Sequence, residues 1–335
     1  MSIVSPNIEL AVLINSFNRL SLFKDALAAL NGWLPADPKW YDKVAVVVYD
    51  AGSTDGTQEW LAAQKEKTAF PIEVVTPRSA EEDTSFAAGL NTIAATAIER
   101  FPKLKHLLFY ETDNQILSAE PLTRAADVLE NSTDLAACGF TVKKVDGQPA
   151  GIGAPFPSAW KFLLGPKVVH YLQLDAIPCH DPAVYEKQPY CLLDVIYTSP
   201  LLVKVSAWQA SGGLDAHTFP FSDCDLDWAK VLYDQGQRMA VIPAEGVIHD
   251  NQATLSAWSG KRALQYHRGR YRYIRKHTNK VVAGLLPAGL LLRHAAEWAA
   301  ANVLFLGQRE RRRKMAGTAS KLFASCLRGY EMPVK

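Results

Sequence analysis

Four times within the first 131 residues, an apolar run the length of a strand is followed by a stretch with helical spacing, and this alternation restricts the chain to an α/β architecture. "IELAVLINSF" precedes Leu20, Leu22, Phe23, Ala26, Leu27, Leu30 and Trp33, and "KVAVVVYD" precedes the segment around Trp60 and Leu61. "PIEVVTP" precedes "SFAAGLNTIAATAIERF", and "LKHLLFYETD" precedes "SAEPLTRAADVLEN". Val44 and Val46 to Val48 are apolar at every position, as in a parallel strand buried on both faces. A mainly parallel sheet with helices on both faces follows, and such sheets collect ligands at the carboxyl ends of their strands.

Polar residues stand at those ends. Strand one closes on Asn15, strand two on Asp50, and strand four on "ETDN", residues 111 to 114. Beyond Asp50, "AGSTDGT" packs small residues that let a nucleotide approach the backbone, while the acid can accept a hydrogen bond from a ribose or a base. The same residues also suit a plain turn in which Thr54 or Asp55 caps a helix beginning near Thr57. Glu111 and Asp113, two apart, would point to one side if the strand stays extended, offering hard oxygen ligands to Mg²⁺ or Mn²⁺.

The pattern changes from Leu135. A strand to Lys144, a hairpin-forming "VDGQ", and an irregular stretch from Gly151 to Pro189 lead to renewed strand character in "VIYTSPLLVKVSAW". "FSDCDLDWAKVLYDQG" reads as a helix with Ser222 or Asp223 at its start and Gly236 past its end, and "RMAVIPAEGVIHD" as a final strand pair. Capping by Asp223, Asp225 and Asp227 at the helix N-terminus is the structural alternative to a chemical role for "DCDLD".

Charge separates the chain. Residues 251–335 carry 17 Lys and Arg against three acids, a net of +14, whereas residues 1–250 carry 19 basic and 31 acidic residues, a net of −12. An acidic body suits metal-assisted chemistry, and a basic tail suits phosphate-bearing surfaces. Five scattered cysteines without a C-x-x-C pair argue against a disulfide framework and a zinc site. "MSIVSPNIEL" has no basic segment ahead of an apolar one, so a cytoplasmic protein is expected.

Taken in order, "VLINSFNRLSLFKDALAAL", "VVVYDAGSTDGT", "SFAAGLN", "FYETDN", "GGLDAHTFPFSDCDLDW" and "VIH" resemble the family 2 glycosyltransferases of the GT-A fold, in particular their bacterial rhamnosyltransferase-like branch. The resemblance spans roughly residues 8 to 280 and implies a GT-A catalytic domain over 1–250, with a nucleotide-sugar half to about 118 and an acceptor half from 119. Residues 251–335 then form a basic, partly apolar helical extension. It also implies an inverting transfer of a sugar from a nucleotide-diphospho-sugar to a hydroxyl of a glycan or lipid-linked acceptor.

Carried over by residue, the resemblance puts Asn15, Asp50, Ser53, Asp55, Gly89, Asn91, Glu111 and Thr112 on the nucleotide-sugar side. Asp113 becomes the ligand of Mn²⁺ or Mg²⁺, with His249 able to reach the metal or diphosphate, and Asp223 the catalytic base. Ser222 stands where the family usually has an acid, and Glu111 replaces the first Asp of its D-x-D pair.

The rival readings fit less of the chain. A dinucleotide-dependent oxidoreductase lacks its G-x-G-x-x-G after strand one, and "NSFNRLS" lacks the glycine-rich basic loop of a sugar nucleotidyltransferase. A nucleic-acid-binding protein would account for "YHRGRYRYIRKH" but leaves the carboxylate pair without a role, so no nucleic acid is expected as a partner. "VVAGLLPAGLLL" holds 12 uncharged residues, short of a membrane span of about 18. With "RGRYRYIRKH" before it and "RERRRK" after it, this region is expected to lie on the inner face of the cytoplasmic membrane or, alternatively, to form a homodimer interface.

Overall fold

The computed structural model describes residues 7–249 and 260–330, with side chains from residue 263 onward in the second segment. The chain divides into two compact units, Met1–Pro155 with Ile177–Asn251, and Phe156–Ala176 with Gln252–Lys335.

The alternation seen in the sequence builds the first unit: β1 (Leu10–Ser16), α1 (Leu20–Trp33), β2 (Val44–Asp50), α2 (Thr57–Gln64), β3 (Ile72–Val75), α3 (Phe86–Arg100), β4 (His106–Phe109), β5 (Asn114–Ile116), α4 (Glu120–Glu130) and β6 (Leu135–Phe140). Short β7 (Gly153–Ala154) follows, then two helices of the second unit, α5 (Ala159–Leu164) and α6 (Pro166–Tyr171). The first unit resumes with β8 (Cys191–Leu193), β9 (Val195–Ile196), β10 (Leu201–Lys204), α7 (Val205–Ser211), α8 (Cys224–Asp234), β11 (Arg238–Ile242) and β12 (Val247–His249).

Eight strands form one sheet in the order β3-β2-β1-β4-β10-β6-β11-β8. The four strands nearest the N-terminus are mutually parallel, and β10 enters antiparallel between β4 and β6. Every residue of β2 is buried, the run Val44–Val48 as its apolar character requires and Asp50 as a charged exception at its end. Helix α1 turns Phe23, Ala26, Leu27 and Leu30 inward at three- and four-residue spacing. Each large apolar side chain withdrawn from water in this way stabilises the fold by about 1.5–3 kcal/mol.

Two strand expectations need correction. Strand four ends at Phe109 rather than continuing extended through Asp113, because the Asn114 side chain folds back and accepts the Glu111 N–H at 2.7 Å. The strand from Leu135 ends at Phe140 rather than Lys144. Lys143 instead pairs with Pro149 across a turn closed by Gly147 N–H donating to Lys144 O at 2.9 Å.

The second unit contains α5, α6 and three longer helices, Gly260–His277, Lys280–Leu304 and Arg309–Leu327. Its interior includes a polar cluster among apolar side chains. His294 is fully buried and reaches Glu297 Oε2 through Nδ1 at 3.0 Å and Tyr330 OH through Nε2 at 2.9 Å. Arg293 donates through Nε to Glu297 Oε1 at 2.9 Å and through Nη1 to Phe162 O. None of the described helices is long and apolar enough to cross a membrane.

Candidate active site

Parallel pairing aligns Asn15 with Tyr49 and Ser16 with Asp50, so β1 and β2 end level with each other. Asp50 is completely buried; its Oδ1 accepts the Ser53 N–H at 3.0 Å, and its Oδ2 has no hydrogen-bond partner. Ser16 Oγ, at the paired position, is buried and unpartnered as well. A buried carboxylate oxygen left without a donor is costly, and it marks a place where a ligand N–H or O–H would be welcome.

The loops beyond these strands are latched together. Ser53 Oγ accepts the Asn18 N–H at 2.9 Å, and Asn18 Oδ1 accepts the Thr54 N–H at 2.7 Å. Asp55 accepts the Leu20 N–H at 2.9 Å on Oδ2, and the Thr57 hydroxyl at 2.6 Å and N–H at 3.2 Å on Oδ1. The Thr57 hydroxyl first, then the Leu20 N–H, hold the Asp55 carboxyl below its ordinary value. Gly56, at φ +88, takes a left-handed conformation that a side chain would resist. Ser53 and Asp55 thus shape the turn, and Asp55 caps the start of two helices at once.

Helix α3 links this edge to a more distant loop. A Cβ at Gly89 would lie 2.4 Å from Asn15 Nδ2 and 2.7 Å from Tyr49, so glycine is what lets α3 close on the two strands. Asn15 in turn donates to Phe86 O at 3.1 Å. Both ends of the Asn91 amide engage Leu214: Nδ2 donates to its carbonyl at 2.8 Å and Oδ1 accepts its N–H at 2.9 Å. Ala87 N–H donates to Pro220 O at 3.0 Å. Helix α3 therefore grips the segment that leads to Asp223.

Asp223 sits at the head of α8 with φ 61, a left-handed conformation uncommon for a residue bearing a side chain. It is buried, its carbonyl accepts the Asp227 N–H at 3.0 Å, and its side chain makes no capping bond to the helix. Capping is thus not what this carboxylate does. The adjacent Cys224 is a core thiol that burial pushes well above its ordinary pKa.

The "ETDN" turn carries the densest chemistry. Glu111, Asp113 and His249 each offer a ligand atom, all lying within 4.8 Å of one another. His249 arrives because β12 pairs antiparallel with β5 in a register that sets it opposite Asn114. Since Asn114 Oδ1 already accepts from Glu111, its Nδ2 faces His249 Nδ1 at 2.8 Å and donates to it. The same Nδ1 lies 3.4 Å from Asp113 Oδ1, a buried oxygen with no hydrogen-bond partner. Asp113 Oδ2 lies 3.4 Å from Arg19 Nη1. Burial first and the Asp113 charge second raise the Glu111 pKa. A histidine nitrogen and two crowded carboxylates, one of them with an orphaned oxygen, form a donor set suited to a divalent cation. Thr112 is buried within the same turn.

The structure thus brings Glu111, Asp113 and His249 together, pairs Asp50 with Ser53 and Asn15 with the start of α3, and sets Asp223 outside the three-residue cluster. Three neighbours escaped the sequence reading. Arg19 was visible as a cation just past strand one, and Asn114 as the last letter of "ETDN". Thr198, whose Oγ1 lies 3.5 Å from Glu111 Oε1, gave no signal.

No family model matches the chain, and no curated protein matches it by sequence. Among solved structures it is similar to the mannosyltransferase PcManGT from Pyrobaculum calidifontis in complex with GDP-Man and Mn²⁺, at 16% identity over 97% of this chain and 88% of that one, with a TM-score of 0.55. It is also similar to S. aureus TarS, at 12% identity over 95% of this chain and 55% of that one, with a TM-score of 0.50. The chain has the GT-A glycosyltransferase fold, with additional C-terminal helices.

Proposed function

We propose that this protein is an inverting, family 2 glycosyltransferase that moves a sugar from a nucleotide-diphospho-sugar to a hydroxyl of a glycan or lipid-linked acceptor. The observation that carries the reading is the orphaned Asp113 Oδ1, buried 3.4 Å from His249 Nδ1 and beside Glu111. The neighbour solved with GDP-Man and Mn²⁺ supports it through the shared fold. Residues to about 118 would hold the donor and residues 119–250 the acceptor, with a rhamnosyl donor the first to try, on the strength of the motif resemblance.

Asp50, with a free acceptor oxygen at the end of β2, would receive a donor group from the ribose or base. Glu111, Asp113 and His249 would hold Mn²⁺ or Mg²⁺, which supplies charge compensation to a departing diphosphate. Arg19, already beside Asp113, adds a second positive charge there. Asp223 takes the proton of the attacking hydroxyl while the new glycosidic bond forms opposite the breaking bond, and the anomeric configuration inverts.

The test pairs binding with turnover. Nucleotide-sugars with Mn²⁺ should raise the thermal midpoint of the full chain, because a ligand of the folded state alone stabilises it. Release of the nucleoside diphosphate should stop in chelator and resume with added Mn²⁺. Full turnover in chelator would remove the metal role, and absence of any stabilisation by nucleotide-sugars would remove the transferase reading.

A further inference from the structure

Past Lys280, the basic side chains of the Lys280–Leu304 helix turn inward. Arg293 is held by Glu297 and Phe162 O, and His294 is fully buried against Tyr330. Its outward residues are of a different kind: after Lys280, every exposed position is Val, Leu, Ala, Gly or Trp. Val281, Leu285, Leu292 and Val303 are each 65–74% exposed, and with Ala288, Ala295 and Ala299 they recur at steps of three or four residues. Such spacing draws one stripe along the helix, about 33 Å long at 1.5 Å per residue. Leu304 and Leu306 prolong it, with Trp298 half exposed at its side.

Both ends of the stripe are basic. Arg275, Lys276 and Lys280 are exposed at the N-terminal end. Arg309, Arg311, Arg313 and Lys314 are exposed at the other, with Glu310 the one acid among them. The Arg311 guanidinium lies 4.6 Å above the Phe305 ring, so cation and apolar surface are continuous there.

This charge arrangement selects the occupant. Two copies pairing along the stripe would set cation against cation at the ends, whether the helices ran parallel or antiparallel. An anionic lipid surface takes the apolar stripe into its acyl boundary and neutralises both clusters at the headgroups. We propose that the outward face of the Lys280–Leu304 helix, with its two basic ends, is a docking surface for an anionic lipid bilayer. The helix lies in the interfacial plane. This inference is independent of the transferase reading.

Flotation of the full chain with vesicles tests it. Binding is expected to phosphatidylcholine vesicles containing phosphatidylglycerol at low salt, and to weaken on the order of tenfold in pure phosphatidylcholine or at high salt. Leu285→Glu with Leu292→Glu should remove binding while the circular dichroism spectrum is kept, since both residues are already in solvent. Arg311→Glu with Arg313→Glu should weaken it without touching the stripe. Failure of the wild-type chain to bind anionic vesicles at low salt overturns the proposal, as does equal binding by the Leu285→Glu, Leu292→Glu variant. A stable dimer that Leu292→Glu splits, in a chain that ignores vesicles, would give the stripe to a second copy instead.

Discussion

Each unit of the molecule holds a carboxylate against a histidine, and the two pairs differ in how completely they are satisfied. In the second unit, both Glu297 oxygens are engaged, by Arg293 Nε and His294 Nδ1, and the other His294 nitrogen meets Tyr330 OH. Burial alone would raise the Glu297 pKa, yet the His294 hydrogen bond and the Arg293 charge outweigh it and hold the carboxyl down at about 2. In the first unit, Asp113 leaves one buried oxygen without a partner, 3.4 Å from a His249 nitrogen that Asn114 already engages. The closed pair satisfies its groups largely within one helix, whereas the open one leaves an acceptor that a ligand could fill. A carboxylate beside a histidine recurs in both units, and the difference lies in whether the last acceptor is filled.

The largest effect expected from breaking the contrast is at the open pair. Asp113→Ala should cut donor turnover at least a hundredfold and abolish Mn²⁺-dependent thermal stabilisation, while the metal-free midpoint stays level or rises because Glu111 loses a like-charged neighbour. A fall in the metal-free midpoint with turnover retained would make Asp113 structural, like Glu297.

Next comes Asp223, which belongs to neither pair. Asp223→Asn keeps shape but cannot take a proton, so turnover should fall on the order of a hundredfold with nucleotide-sugar binding intact. Measured kcat and donor affinity separate these effects, and unchanged turnover would move the base elsewhere.

The closed pair should respond in stability. Glu297→Gln is expected to cost about 1–2 kcal/mol by denaturant unfolding, less than a fully buried pair would, because the Glu297 side chain is 39% exposed. Its pH signature follows from the depressed pKa. Ionised Glu297 stabilises the fold above its unfolded value of 4.5, and that contribution is lost as pH falls toward about 2. His267 acts earlier and with the same sign: burial lowers it from 6.5 to about 4, so the unfolded chain binds its proton first and stability declines from pH 6.5 downward. His267→Phe should flatten that upper part of the curve, and Glu297→Gln the lower part.

The smallest effect sharpens the role of Asn91. Its amide is used on Leu214, so Asn91→Ala should cost about 1 kcal/mol of stability and lower kcat several-fold through the Asp223 segment, leaving donor affinity nearly unchanged. A selective loss of donor affinity would return Asn91 to the nucleotide side, where the motif resemblance has it.

The sequence by itself determined the alternating strands and helices, the residues at the strand ends, the E-x-D spacing and the split between an acidic body and a basic tail. These are local facts, set by side-chain periodicity and turn chemistry over a few residues, and the parallel β3-β2-β1-β4 half of the sheet follows from them. Tertiary structure decided what those residues meet. Strand four curls at Asn114 instead of running on, so Glu111 and Asp113 converge through a turn, not through extended spacing. His249 joins them only because β12 pairs with β5, which brings it to an asparagine 135 residues away in the chain. Likewise, the outward face of the Lys280–Leu304 helix could be told from its inward face only once Arg293 and His294 had found their partners. Spacing along a chain reports which face a residue can share, while the neighbour across that face is chosen by the packing of segments far apart in sequence.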